Sequence, residues 1–223
     1  MCQSHIVNRP FRQITFTYDL HKDVENIVRA AQSVNNPAPT RLWRAITAQC
    51  GEQPTTEEIA AFIRAQDAKE SVDWRALCSD MQAQWDRAEV TFVERAQRIF
   101  GIALPHTVTA YITHDQRCTY AIAQHYFFVS ATASSVRLIV MHELFHFYTW
   151  YAYGRDATAR GLSKSTYNNI KEALTVLLNE EFADLLDGAI DRGYPQHAAL
   201  RAHILTAWRA TRSLQRVIDV AVA

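Results

Sequence analysis

The stretch "VMHELFHFYTW", Val140–Trp150, places two histidines and a glutamate inside an otherwise almost apolar run. Ionisable side chains are costly to bury without partners, so their spacing decides how this segment folds. His142 and His146 are four apart and Glu143 stands between them, the pattern H-E-x-x-H. On a helix, residues four apart differ by about 40° in direction, so both imidazoles can converge on one cation with Glu143 beside them. Apolar residues on nearly every side of the run predict a helix that is buried over most of its surface. A bound metal gives all three polar groups a role; the metal-free alternative is a buried histidine–glutamate hydrogen-bond network in a helical scaffold.

Working outward, Ser134 or Ser135 can cap this helix, which is expected to run to about Tyr153. A Gly-bounded loop, "GRDATARGLSKS", then leads to a second helix from about Thr166 to Asp187. "GYPQH" breaks the chain before a last helix, "AALRAHILTAWRATRSLQRVIDVAV". Upstream, "HTVTAYIT", "CTYAIAQ" and "HYFFVSA" are rich in β-branched and aromatic residues and are separated by turns such as "HDQR", predicting a small antiparallel sheet.

Nearer the N-terminus, "ITFTYD" reads as a short strand. The segment Leu20–Gly101 reads as helices with breaks at Asn35–Thr40 and Gly51–Glu58, where Thr55 or Thr56 can act as a cap. "SVDWRALCSDMQAQWDRAEVTFVERAQRIFG" carries apolar residues at helical intervals and predicts one long amphipathic helix ending at Gly101. The expected fold is α+β and predominantly helical, a small antiparallel sheet packed on a pair of helices. It divides into a mostly helical region, 1–104, and a region 105–223 that carries the motif and the C-terminal helix, the two compatible with one compact unit.

Composition narrows the function. Lys plus Arg equals Asp plus Glu, 23 of each, so no net field favours nucleic acid or an anionic membrane. The arginines between Arg201 and Arg216 read as a solvated helix face. The most apolar stretch contains Arg137, His142, Glu143 and His146, which argues against a membrane span. Cys2, Cys50, Cys78 and Cys118 form no C-x-x-C pair, and the N-terminus lacks the order of a secretory signal. Free thiols in a reducing compartment, and hence a cytoplasmic location, are the expectation.

With its uncharged residues between the histidines, Val140 two places before His142, and hydrophobic residues after His146, "VMHELFHFY" resembles the extended motif of the zincin metallopeptidases. The order of strand-rich segment, motif helix, loop and second helix is similar to the gluzincin core over roughly Pro105–Asp187. The resemblance implies a zinc ion held by His142 and His146, with Glu143 as general base and a glutamate on the second helix as third ligand. It also implies a peptide or protein substrate lying along an edge strand, for which "YAIAQHYFFVS" is the candidate, and an oxyanion-stabilising group among Tyr148, Tyr151, Tyr153 and Tyr167. The alternative is a non-catalytic binding or regulatory protein that keeps the metal site.

Two glutamates compete for the third position. Glu180 sits in "NEEFAD", whose spacing to Asp184 is similar to that of thermolysin-like enzymes, where the aspartate supports a zinc histidine, and Glu172 sits in "KEAL". In an antiparallel helix pair His146 and Glu172 lie at matching depths from the turn, whereas Glu180 lies about 12 Å further along the axis. Asn168, Glu172, Thr175 and Asn179 share one polar stripe, while Glu180, Asp184 and Asp187 fall in a sector that reads as solvated. Glu172 is therefore favoured and Glu180 is the alternative, with Thr175 and Asn179 near the site.

Overall fold

Strand-forming residues build β1 (Ile14–Thr17), β2 (Val108–Thr113), β3 (Tyr120–Ala121) and β4 (Tyr126–Ser130), paired in the order β1-β2-β4-β3. The computed structural model describes residues 12–33, 38–157, 159 and 161–222; Cys2 and residues 35–37 of the first expected break lie outside them. The antiparallel sheet expected from sequence is instead mixed. β1 and β4 both run parallel to β2, and only β3 is antiparallel, to β4.

Two physical causes account for the difference. The central strands are covered on both faces, the usual setting of parallel strands. Val108, Ala110, Ile112, Phe127 and Val129 enter the main core, while Tyr126 and Phe128 pack on the other face, where the Lys22 ammonium lies 4.3 Å from the Tyr126 ring. Moreover, the "HDQR" segment does not close a tight hairpin, because α1 (Leu20–Ala31) claims it. Asp23 accepts from the His114 backbone N–H at 3.1 Å, Asn26 donates to the Arg117 carbonyl at 3.0 Å, and Arg117 donates to the Ala30 carbonyl at 2.8 Å. The chain thus steps to the far edge of the sheet, and β4 returns between β3 and β2.

α1 packs with α2 (Arg41–Cys50) and α3 (Thr56–Glu70) around a small core of Ile27, Ile46, Ile59 and Ile63. Of the two candidate caps for α3 it is Thr55 that serves, in a reciprocal capping box with Glu58. The single long helix expected up to Gly101 is broken into α4 (Trp74–Asp86) and α5 (Glu89–Phe100). The break has a use: the buried Glu89 carboxylate accepts the backbone N–H groups of Gln13 and Ile14, both at 2.8 Å, and so starts β1. It also lets Trp85 and Phe92 meet edge to face at 5.5 Å in the main core.

That core draws on both sides of residue 104, joining α4 and α5 to α6 (Val136–Thr149) through contacts such as Phe100 with Phe145 and Tyr148. Ser135 caps α6 by accepting from the Leu138 N–H. The helix then widens into a π-helical turn, Trp150–Gly154, followed by the single turn α7 (Arg155–Ala157). A side chain at Gly154 would meet the Trp150 ring at 2.3 Å, so only glycine permits this closure.

The second helix is shorter than expected: α8 (Lys164–Leu174) breaks at Thr175, α9 (Val176–Glu181) follows, and a 3₁₀ turn at Ala183–Leu185 ends it. The last helix also divides, into α10 (Ala198–Thr211) and α11 (Leu214–Val222), at Arg212, whose φ of 49° is left-handed. Arg212 and Trp208 both donate to Glu181 there, so the break places two donors on one carboxylate. Cys50, Cys78 and Cys118 are free thiols, and among the described residues no helix is long and apolar enough to cross a membrane.

Candidate metal centre

On α6, Val140, Met141, Leu144, Phe145, Phe147 and Tyr148 are buried, which fixes the helix in the core and leaves its polar residues no freedom to turn outward. One helical turn apart, His142 and His146 hold their rings in a T-shaped arrangement with centroids 4.6 Å apart. α8 brings Glu172 against them: Oε2 lies 3.6 Å from His142 Nε2, and Oε1 lies 3.5 Å from His146 Nε2. One donor atom from each residue falls within 4.8 Å of the others, so the cluster could hold a metal ion.

The donor set fits zinc. Ligands in a tetrahedron of about 2.0–2.1 Å bonds are separated by about 3.4 Å, close to the two distances from Glu172 to the imidazoles. Oε2 of Glu172 is also buried without a hydrogen-bond partner, as are Glu143 Oε2 and His146 Nδ1. Unsatisfied buried polar atoms cost about 1–3 kcal/mol each, and a cation at this point would relieve the first of them.

Glu180, the alternative ligand, lies elsewhere, forming an ion pair with Arg209 at 2.8 Å. Asp184 pairs with Arg95 and is exposed. The support that the "NEEFAD" pattern assigns to Asp184 comes from Asp191 instead, whose Oδ2 is 2.7 Å from His142 Nδ1. Asp191 is held from several sides. Arg201 of α10 contacts its Oδ1 at 2.9 Å and donates to its carbonyl at 2.7 Å, Thr175 Oγ1 lies 3.1 Å from Oδ1, and Asn179 both donates to the Asp191 carbonyl and accepts its N–H. Thr175 and Asn179 are therefore near the site, as expected, but act through Asp191.

Sequence reading missed Asp191, Arg201 and Lys171. The first lies in a loop between helices and has no periodicity to mark it. Lys171 is 2% exposed and donates to Glu172 Oε1 at 2.5 Å and to the Tyr120 hydroxyl at 2.8 Å. It engages one oxygen of Glu172 and leaves the other toward His142. The only hint in sequence was its apolar setting, between Ile170 and Ala173–Leu174.

Burial dominates the electrostatics. It pushes the Glu143 carboxyl up to about 7, against the pull of His142 and Lys171. Burial also drives His146 well below the ordinary histidine value, assisted by Lys171 and His142, so this ring is neutral and has a free lone pair. For His142 burial opposes the charged form, but Asp191 and Glu172 override it and raise the group to about 10. These two carboxylates therefore favour a proton on this ring.

His142 and Glu143 open into a cleft of about 550 Å³ whose walls include Arg41, Cys118, Ile190 and Tyr194. Tyr194, from the loop that follows Asp191, is the tyrosine lining it. Of the four tyrosines considered from sequence, Tyr148 stacks on Phe100, Tyr151 hydrogen-bonds His125, and Tyr167 is buried; neither they nor Tyr153 line the cleft. Within "YAIAQHYFFVS" only β3 is an edge strand, two residues long, and its Tyr120 carbonyl accepts from Arg29. Residues 116–118, just before it, face the cleft instead. Comparison of the chain with family models, with curated proteins and with solved structures gives no match.

Proposed function

We propose that this chain is a zinc-dependent hydrolase of the gluzincin kind that cleaves peptide bonds, with His142, His146 and Glu172 as ligands and Glu143 as general base. The observation that carries this reading is the convergence of the three donor groups beside a buried, unpartnered Glu143 oxygen at an open cleft. Zinc in such a site would acidify a water molecule and polarise the carbonyl under attack.

The rest is work for the chain's own residues. Glu143, poised near neutrality by burial, accepts a proton at its free oxygen and can return it to the leaving nitrogen. Asp191 fixes the His142 tautomer, so that Nε2 faces Glu172. Lys171 orients Glu172 through Oε1, and Tyr194 is the hydroxyl within the cleft available to a developing oxyanion.

Elemental analysis of protein purified without chelator tests the metal, with one zinc per chain expected. Peptide hydrolysis should fall by about 10²–10⁴-fold in Glu143→Gln while zinc is retained. Absence of zinc would overturn the reading. A zinc-loaded protein inert on a diverse peptide library would replace it with the non-catalytic alternative.

A further inference from the structure

The charges around the cleft are divided by sign. Its carboxylates are buried at the floor: Asp191 is bound to His142 and Arg201, and Glu143 is 8% exposed. Its cations stand at the rim. Arg41, at the start of α2, and Arg192, in the loop after Asp191, are both exposed, and among the described residues neither makes a hydrogen bond or an ion pair. Arg117 adds a third arginine to the wall, where it donates to the Ala30 and Ala38 carbonyls.

A second observation is independent of charge. The large hydrophobic side chains most exposed among the described residues are Val90, Ile190, Tyr194 and Val220, and two of these four, Ile190 and Tyr194, line this same cleft. The opening thus combines an exposed apolar surface with the guanidinium groups of Arg41 and Arg192, which come from different parts of the chain. Guanidinium groups match carboxylates through paired N–H donors, and a concave low-dielectric wall strengthens that attraction over an open surface.

We infer that the cleft selects acidic peptides: an apolar residue seats against Ile190 and Tyr194, and carboxylate side chains on either side of it meet Arg41 and Arg192. The inference rests on the hydrolase reading for its consequence, but the recognition itself requires no turnover.

The test is a binding measurement on the Glu143→Gln protein, in which the peptide is not consumed. Three fluorescent, C-terminally amidated hexapeptides share a central leucine and differ only in its flanking residues, paired glutamates, glutamines or lysines. Fluorescence anisotropy at low salt should give the glutamate peptide a Kd about tenfold tighter than the glutamine peptide, and the lysine peptide the weakest. The gap should narrow as salt screens the charges. It should close to within about twofold in a protein that also carries Arg41→Gln and Arg192→Gln, exposed changes that remove no internal bond.

Equal binding of glutamate and glutamine peptides, or a gap that survives loss of both arginines, overturns the inference. So does a glutamine peptide with a free C-terminus that matches the glutamate peptide, because the arginines would then read the chain end. Failure here with zinc-dependent hydrolysis intact removes only the acidic preference, and acidic binding without hydrolysis removes only the catalytic reading.

Discussion

Asp191 Oδ2 lies 2.7 Å from His142 Nδ1, so a carboxylate 49 residues downstream decides which nitrogen of that ring faces Glu172. Carboxylates in this position orient a metal-ligating imidazole and raise its basicity. Asp191→Asn keeps the backbone bonds to Arg201 and Asn179 within reach while weakening that orientation. Zinc affinity should fall about 10–100-fold, read by competition with a chromophoric chelator. An unchanged affinity would show that His142 needs no such partner.

Glu172 and Glu180 separate by substitution. Glu172→Gln should abolish stoichiometric zinc and also leave the buried Lys171 ammonium without its counter-charge, a change that costs about 3–5 kcal/mol when one partner of a buried pair is removed. Glu180→Gln removes only a surface contact with Arg209, so zinc content and Tm should barely move. Metal content by mass spectrometry under native conditions, together with thermal melts, distinguishes them. Zinc lost from the Glu180 variant and kept in the Glu172 variant would reverse the ligand assignment.

Zinc binding should depend on pH in a defined direction. His142 must lose a proton to act as a ligand, and in the metal-free protein Asp191 and Glu172, against the effect of burial, hold it at about 10. Affinity should therefore rise with pH from about 6.5 toward 10. The sign for stability is opposite: the folded pKa is raised, so this group's contribution is complete below about 6.5 and is lost as pH climbs through the folded value. Metal-free Tm should decline over that window while the stabilisation by added zinc grows. A flat affinity profile would contradict a proton on His142.

Asp23 ties the N-terminal helices to the sheet. It is fully buried and accepts from the Thr113 hydroxyl at 2.6 Å and from His114 Nδ1 at 2.5 Å, while His114 Nε2 reaches Asp67 at 2.9 Å. Asp23→Ala should cost about 3–5 kcal/mol by leaving these donors unpaired. Burial opposes the charged His114 ring, but the two aspartates raise its pKa, so its contribution is present below about 6.5 and lost as pH rises through the raised value. Loss of Asp23 should flatten that part of the pH–Tm profile. Chemical denaturation at several pH values checks both effects, and a wild-type profile in the variant would rule out this role for the triad.

Much of the candidate site was legible along the chain. The spacing of His142, Glu143 and His146 and the apolar residues around them define a buried helix, and helix depth and phase favour Glu172, which the fold brings beside both rings. Caps were legible for the same reason: a Ser135 or Thr55 side chain acts within three residues of itself, so its effect is written locally. Breaks were not. The interruption at Arg87–Ala88 follows from Glu89 serving Gln13 and Ile14, and the end of α8 from Thr175 turning toward Asp191, partners that helical periodicity cannot reveal.

Sequence by itself determined the local terms: where helices begin, which faces are apolar, and that two imidazoles and a carboxylate share a turn of a buried helix. Only the tertiary structure decided that β2 and β4 run parallel, because α1 captures the intervening turn through Asp23, Asn26 and the Ala30 carbonyl. The tertiary structure also decided that Asp191, Lys171 and Arg201 surround the site and that Arg41 and Arg192 stand at its rim. The division is physical. Periodicity and capping act over a few residues, whereas the pairing of buried charges depends on which distant segments packing brings within about 4 Å, where removal from water makes each partner matter.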